Sequence, residues 1–172
     1  MRNYRVRRLA VSALLVTVML MLGYVESLVP TGVPGIKLGL SNSVLILAIV
    51  WLGVPTAFAL MIVKVLLSGF LFSGVNAMLY AFAGGLLSML VMCVLYKTKA
   101  FSLTPVAMAG AVAHNVGQVV LAMLILETGK LVFYMAILML VGLVTGFVTG
   151  TVASILIKRL PRELLPKAPG KE

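Results

Sequence analysis

The 172-residue chain is 62% hydrophobic and only 10% charged, and its mean hydropathy is +1.19. A soluble domain of this size has no way to bury so much apolar surface, and a disordered chain needs the opposite composition. An integral membrane protein remains, and its formal charge of +10 has to be read against a bilayer.

A helix crosses a hydrocarbon core of about 30 Å with roughly 20 residues, so six spans nearly use up the chain and leave no soluble catalytic domain. The fold class expected is an all-α bundle of six transmembrane helices over 9–29, 36–52, 56–72, 77–96, 105–126 and 131–160, one integral membrane domain with a basic tail at 161–172. The basic flank of the first helix is like that of a secretory signal, but its apolar stretch is too long and no cleavage site follows, so it is expected to be a retained span. Pro30, Thr31, Gly32, Pro34 and Gly35 then break helix in an outer loop. Helix two begins with Lys37, Ser41 and Asn42, Gly53-Val54-Pro55 turns inside, and 73–76 turns outside. Pro105 suits the first turn of helix five, and 127–130 make the last outer turn. Tyr24, Tyr80 and Tyr134 fall near outer ends and Trp51 and Tyr96 near inner ends, the positions of an interfacial aromatic belt.

The basic residues form no stripe with stacking aromatics, which argues against nucleic acid. They sit at span ends instead: Arg2, Arg5, Arg7 and Arg8 before the first, Lys97 and Lys99 after the fourth, Lys158, Arg159, Arg162, Lys167 and Lys171 after the sixth. These clusters share one side only if both termini are cytoplasmic, as the positive-inside pattern requires. Cys93 is a lone thiol and permits no intrachain disulfide.

Polar groups inside spans are costly, so each asks for a partner, a cavity or a function. Lys64 is about nine residues into helix three, too deep for easy snorkelling, with Ser68 one turn on. In helix five, His114, Asn115 and Gln118 fall within an arc of roughly 100°. Interhelical glue is the alternative reading, but three such groups on one face, with a lysine elsewhere, favour a site. With Lys37 and Asn42 they occupy the middle and outer bilayer, which implies a cavity open to the outside. Its cationic character suits a small ligand with a phosphate or carboxylate. Gly142, Gly146 and Gly150 recur every four residues, a pattern for close helix packing, here read as packing within the bundle. Ala10, Ala13 and Thr17 make a weaker small face on helix one, where another membrane subunit could dock.

The chain has no P-loop, no Cys/His cluster for a metal and no Asp, so neither a Ser-His-Asp set nor a carboxylate-held magnesium site can be assembled. No catalytic residue and no intrinsic cofactor is expected.

The segments Val33-Pro34-Gly35-Ile36-Lys37-Leu38-Gly39-Leu40-Ser41-Asn42, Lys64-Val65-Leu66-Leu67-Ser68-Gly69 and Ala113-His114-Asn115-Val116-Gly117-Gln118 resemble the Gx transporter family, also described as heptaprenyl diphosphate synthase component I. That family in turn resembles the substrate-binding S components of energy-coupling-factor (ECF) transporters. The resemblance implies a subunit of the prokaryotic cell membrane that captures a vitamin or cofactor, such as a flavin, under a lid at 30–35. Release would then be driven by a coupling subunit and two cytoplasmic ATPases. The enzyme description implies instead a non-catalytic accessory subunit, because the Asp-rich motifs of prenyl diphosphate synthases are missing.

Overall fold

The computed structural model describes residues 2–29 and 37–159. The loop residues Pro30, Thr31, Gly32, Pro34 and Gly35 and the tail 161–172 lie outside them. The chain forms α1 (Arg2–Ser27), α2 (Leu40–Ser43), α3 (Leu45–Leu52), α4 (Val54–Ser68), a π-helical turn (Gly69–Ser73), α5 (Gly74–Thr98), α6 (Leu103–Ile125) and α7 (Leu131–Arg159). Four helical runs are long and apolar enough to cross a membrane: 4–27, 54–98, 103–125 and 131–159.

The run 54–98 is not straight. A Cβ on Gly69 would meet the Met78 side chain and one on Gly85 would meet the Met61 side chain, both within 3 Å. Residues 61 and 85 would stand about 36 Å apart along one helix. The chain therefore reverses at Gly74, whose φ of +79° only glycine adopts without strain. The outer loop expected at 73–76 is thus replaced by a single glycine pivot after a π-helical turn. Two antiparallel legs result, each long enough for a hydrocarbon core.

α3 sits at the centre. Seven of its eight residues are buried, and it touches α1, α4, α5, α6 and α7. A short helix that is apolar on every face has no side to offer water, so enclosure is its stable place. Around it pack Leu15 and Met19 of α1, Met61 and Val65 of α4, Met89 and Met92 of α5, and Val106 and Ala107 of α6. α7 buries only one stripe, Leu138, Gly142, Gly146, Gly150 and Ala153. Gly142 faces Ala111 and Asn115, Gly146 faces the Met108 backbone, and Gly150 faces Ala107 and Thr104. The glycine stripe thus closes α7 onto α6 within the bundle. Ala10 and Ala13 of α1 face outward.

Three sequence expectations need correction. Helix two does not begin at 36: Lys37 and Leu38 are non-helical, Gly39 takes φ +90°, and α2 starts at Leu40. The first helix does not begin at 9: α1 already runs through the basic residues at 5–8, arginine being a good helix former. Tyr80 and Trp51, at 5% and 9% exposure, are core side chains and contribute nothing to an interfacial belt.

The basic clusters share one end. Arg8 Nη2 donates to Thr56 Oγ1, which joins the start of α1 to the start of α4. Thr104 and Ser154 hydroxyls lie 3.3 Å apart, joining the start of α6 to the end of α7. With the reversal at Gly74, the starts of α1, α4 and α6 and the ends of α5 and α7 lie together. Arg5, Arg7, Arg8, Lys97, Lys99, Lys158 and Arg159 belong to that end.

Candidate functional site

The opposite half of the bundle holds the buried polar groups. Glu26, Lys37, Ser41, Asn42, Lys64, Ser68, His114, Asn115 and Gln118 are all 7% exposed or less. They come from α1, the segment 37–39, α2, α4 and α6, so the polar positions of separate spans converge.

The segment 37–39 is pinned across α6. Gln118 Oε1 accepts the Lys37 backbone N–H at 3.0 Å, and Gln118 Nε2 returns a bond to the Lys37 carbonyl at 3.0 Å. One glutamine amide thus satisfies a residue of irregular backbone that could not otherwise sit in a dry interior. Gln118 Nε2 also lies 3.4 Å from Asn115 Oδ1, while Asn115 Nδ2 donates to the Leu138 carbonyl of α7 at 2.7 Å. Gly39 passes so close that a Cβ there would stand 3.3 Å from His114 Cδ2 and 3.4 Å from Asn115 Oδ1. Its left-handed backbone and this close approach both call for glycine. The residues expected to line an open chamber are therefore roofed by 37–39.

The Lys37 side chain leaves this amide pair. Its ammonium donates to Ser73 Oγ at 2.6 Å and lies 5.0 Å from the centroid of the Phe72 ring. Tyr24 meets the same ring edge-on with centroids 5.5 Å apart, which ties the end of α1 to the π-helical turn. The turn thus carries two of the groups that seat Lys37, in keeping with the frequent use of such turns at functional positions.

Glu26, in the last turn of α1, is at the heart of the site. Its carboxylate accepts the Leu40 backbone N–H through Oε1 and the Ser41 hydroxyl at 3.1 Å through Oε2. It caps α2 from another helix. A sequence signal existed: an acid in the last turn of an apolar span opposes the helix dipole and needs a reason. Ser73 and Phe72 were also missed, since nothing local marks them as partners of a residue 36 positions away.

The remaining groups are short of acceptors. Lys64 is 3% exposed, and its bond to Asn42 Oδ1 is long at 3.5 Å. Asn42 Nδ2 makes no hydrogen bond, and His114 Nδ1, beside the Gly84 backbone, makes none of ordinary geometry. Ser68 donates back to the Val65 carbonyl of its own helix at 3.1 Å, which leaves its oxygen only to accept. Two lysines face one carboxylate, and donors outnumber acceptors. Such a set can hold an anionic or acceptor-rich small molecule. Among the described residues no group of three His, Cys, Asp or Glu could hold a metal ion.

No curated protein and no solved structure matches the chain. A family model does match it, over residues 15–156, from the second half of α1 through nearly all of α7 and including every residue of the polar cluster. The chain therefore belongs to the heptaprenyl diphosphate synthase component I family.

Proposed function

We propose that this chain is a ligand-capturing membrane subunit, similar in role to the S component of an ECF transporter. Its ligand would be a small anionic or phosphate-bearing vitamin or cofactor, a flavin nucleotide being the model case. One observation carries the reading: Lys64 and Asn42 bring under-used donors into a buried site that holds two lysines and one carboxylate. An unpaired donor in a dry site costs free energy, and a ligand bringing acceptors recovers it.

The proposed orientation has six crossings and both termini in the cytoplasm of a prokaryotic cell. The shared basic end supports it through the positive-inside rule, and the polar cluster then lies in the outer half. Capture from outside would proceed beneath 37–39, with Lys64 taking the anionic group and the amide of Asn42 orienting the remainder. A chain without a nucleotide-binding loop needs partners for energy, here a coupling subunit and two cytoplasmic ATPases. The outward-facing Ala10 and Ala13 offer a small face for such a subunit.

Titrating the purified protein with flavin mononucleotide and with riboflavin, read by flavin fluorescence, tests this. Saturable binding that is tighter for the phosphorylated form is expected. Lys64→Met should weaken it roughly tenfold to hundredfold, because a hydrogen bond to a charged group contributes about 1.5–3 kcal/mol. If neither flavins nor other vitamins bind, and co-expression with an ECF module gives no uptake, the reading is abandoned.

Family membership favours a second reading, a non-catalytic accessory subunit in heptaprenyl diphosphate synthesis. On this reading catalysis would belong to a partner chain, since this sequence holds no aspartate to carry a metal-held diphosphate. Product length and yield of the catalytic component, measured with and without this chain, decide it: no change in either removes the reading.

A further inference from the structure

A hollow lies at the other end of α1. From Glu26 back to Arg8 the helix axis covers about 27 Å, so the two sites stand near opposite faces of a bilayer. The hollow measures about 920 Å³ between the starts of α1 and α4. Arg5, Arg8, Tyr4, Ser12 and Thr56 supply its polar lining, and among the described residues no carboxylate lines it. Leu9, Pro55 and Ala59 supply an apolar wall.

Three features of charge agree there. Arg5 and Arg8 are one turn apart on the same face of α1. Arg8 engages one amino group with Thr56, and its remaining N–H donors are available. α4 begins at Val54 with no acidic residue in its first turn, so the positive end of a 15-residue helix opens at the hollow. The first ladder bond of α4 runs from Ala57 N–H to the Gly53 carbonyl, which leaves the Val54 and Thr56 amides without an intrahelical acceptor, Pro55 having no N–H. Guanidinium pairs and helix N-termini both match phosphate oxygens. The apolar wall, in a helix zone at membrane-surface depth, suits a hydrocarbon chain attached to that phosphate.

We propose that this hollow binds the phosphate head of a bilayer amphiphile, its chain lying against Leu9, Pro55 and Ala59. A phospholipid and a prenyl diphosphate share this chemistry. The site is separate from the cluster around Lys64, and its test does not depend on what that cluster binds.

The test is native mass spectrometry of the full chain released from nanodiscs of equal phosphatidylglycerol and phosphatidylcholine. The expected result is one phosphatidylglycerol retained about tenfold over phosphatidylcholine, with the preference lost in an Arg5→Gln/Arg8→Gln double variant. Ala59→Trp, which fills the hollow and keeps both arginines, should reduce retention and serves if the double variant does not fold. Farnesyl diphosphate and inorganic pyrophosphate are added as competitors. Displacement by farnesyl diphosphate alone supports the proposal and names an isoprenoid as the occupant, whereas displacement by neither supports it with a phospholipid. Equal displacement by pyrophosphate overturns the requirement for a chain. Equal retention of the two lipids by the wild type, or an undiminished preference in both variants, overturns the site.

Discussion

Glu26 and Lys64 are both ionisable, both 3% exposed or less, and held in opposite ways. Glu26 accepts two hydrogen bonds from α2, so Glu26→Ala strands the Leu40 N–H and the Ser41 hydroxyl in a buried place. Each unmet donor costs about 1–3 kcal/mol, and a clear fall in the detergent melting temperature is expected, with Glu26→Gln keeping part of the stability. Lys64 has one long bond, so Lys64→Met should hold or raise the melting temperature, because replacing a buried charge with a volume-matched apolar side chain is often neutral or stabilising. Binding lost with stability kept would separate a ligand contact from glue. A large fall in stability would place Lys64 in the structural frame instead. Lys64, His114, Asn115 and Gln118 were legible as polar intrusions in apolar runs. Glu26 was legible as an acid in the last turn of an apolar span, but its partners were not, because they lie on α2, across a loop from α1.

At the scale of elements, glycine decides how near α5, α6 and α7 come. A Cβ on Gly84 would stand 2.6 Å from the His114 carbonyl and 2.7 Å from its ring Nδ1, and one on Gly146 would stand 2.6 Å from Met108 Cα. Neither backbone can step aside alone. Gly84→Ala and Gly146→Ala are each expected to cost about 1–3 kcal/mol by overpacking, measured by thermal unfolding, and Gly84→Ala should also disturb ligand binding through His114. Gly23→Ala is the control, since its Cβ would meet only ordinary contacts at 3.7–3.8 Å with Ser41 and Phe72. It should be neutral or stabilising, by up to about 1 kcal/mol of helix propensity. The glycine stripe of α7 was visible in the sequence as a four-residue repeat. Gly74 was read within a turn at 73–76, but Gly39 was not, because its positive φ follows from what the chain must pass around, and no local pattern announces it.

For the whole molecule, the reversal at Gly74 sets how many times the chain crosses. With Cys93 replaced by Ala, Val75→Cys should react in intact cells with a membrane-impermeant maleimide, and Pro55→Cys only after permeabilisation. Both residues are exposed. Pro55→Cys labelling from outside would show that 54–98 does not make two passes and would remove the proposed orientation. Composition and charge alone settled that the chain belongs in a bilayer, where its basic ends gather and which helices carry polar groups, because each of these is a property of one residue or one segment against its solvent. The tertiary structure alone decided that α3 is the enclosed helix, that 37–39 roofs the α6 polar face and that Glu26 caps a helix from another span. Those facts depend on pairings such as Lys37 with Gln118, 81 positions apart, whose register is set by side-chain fit between segments. Periodicity within a segment carries no trace of them.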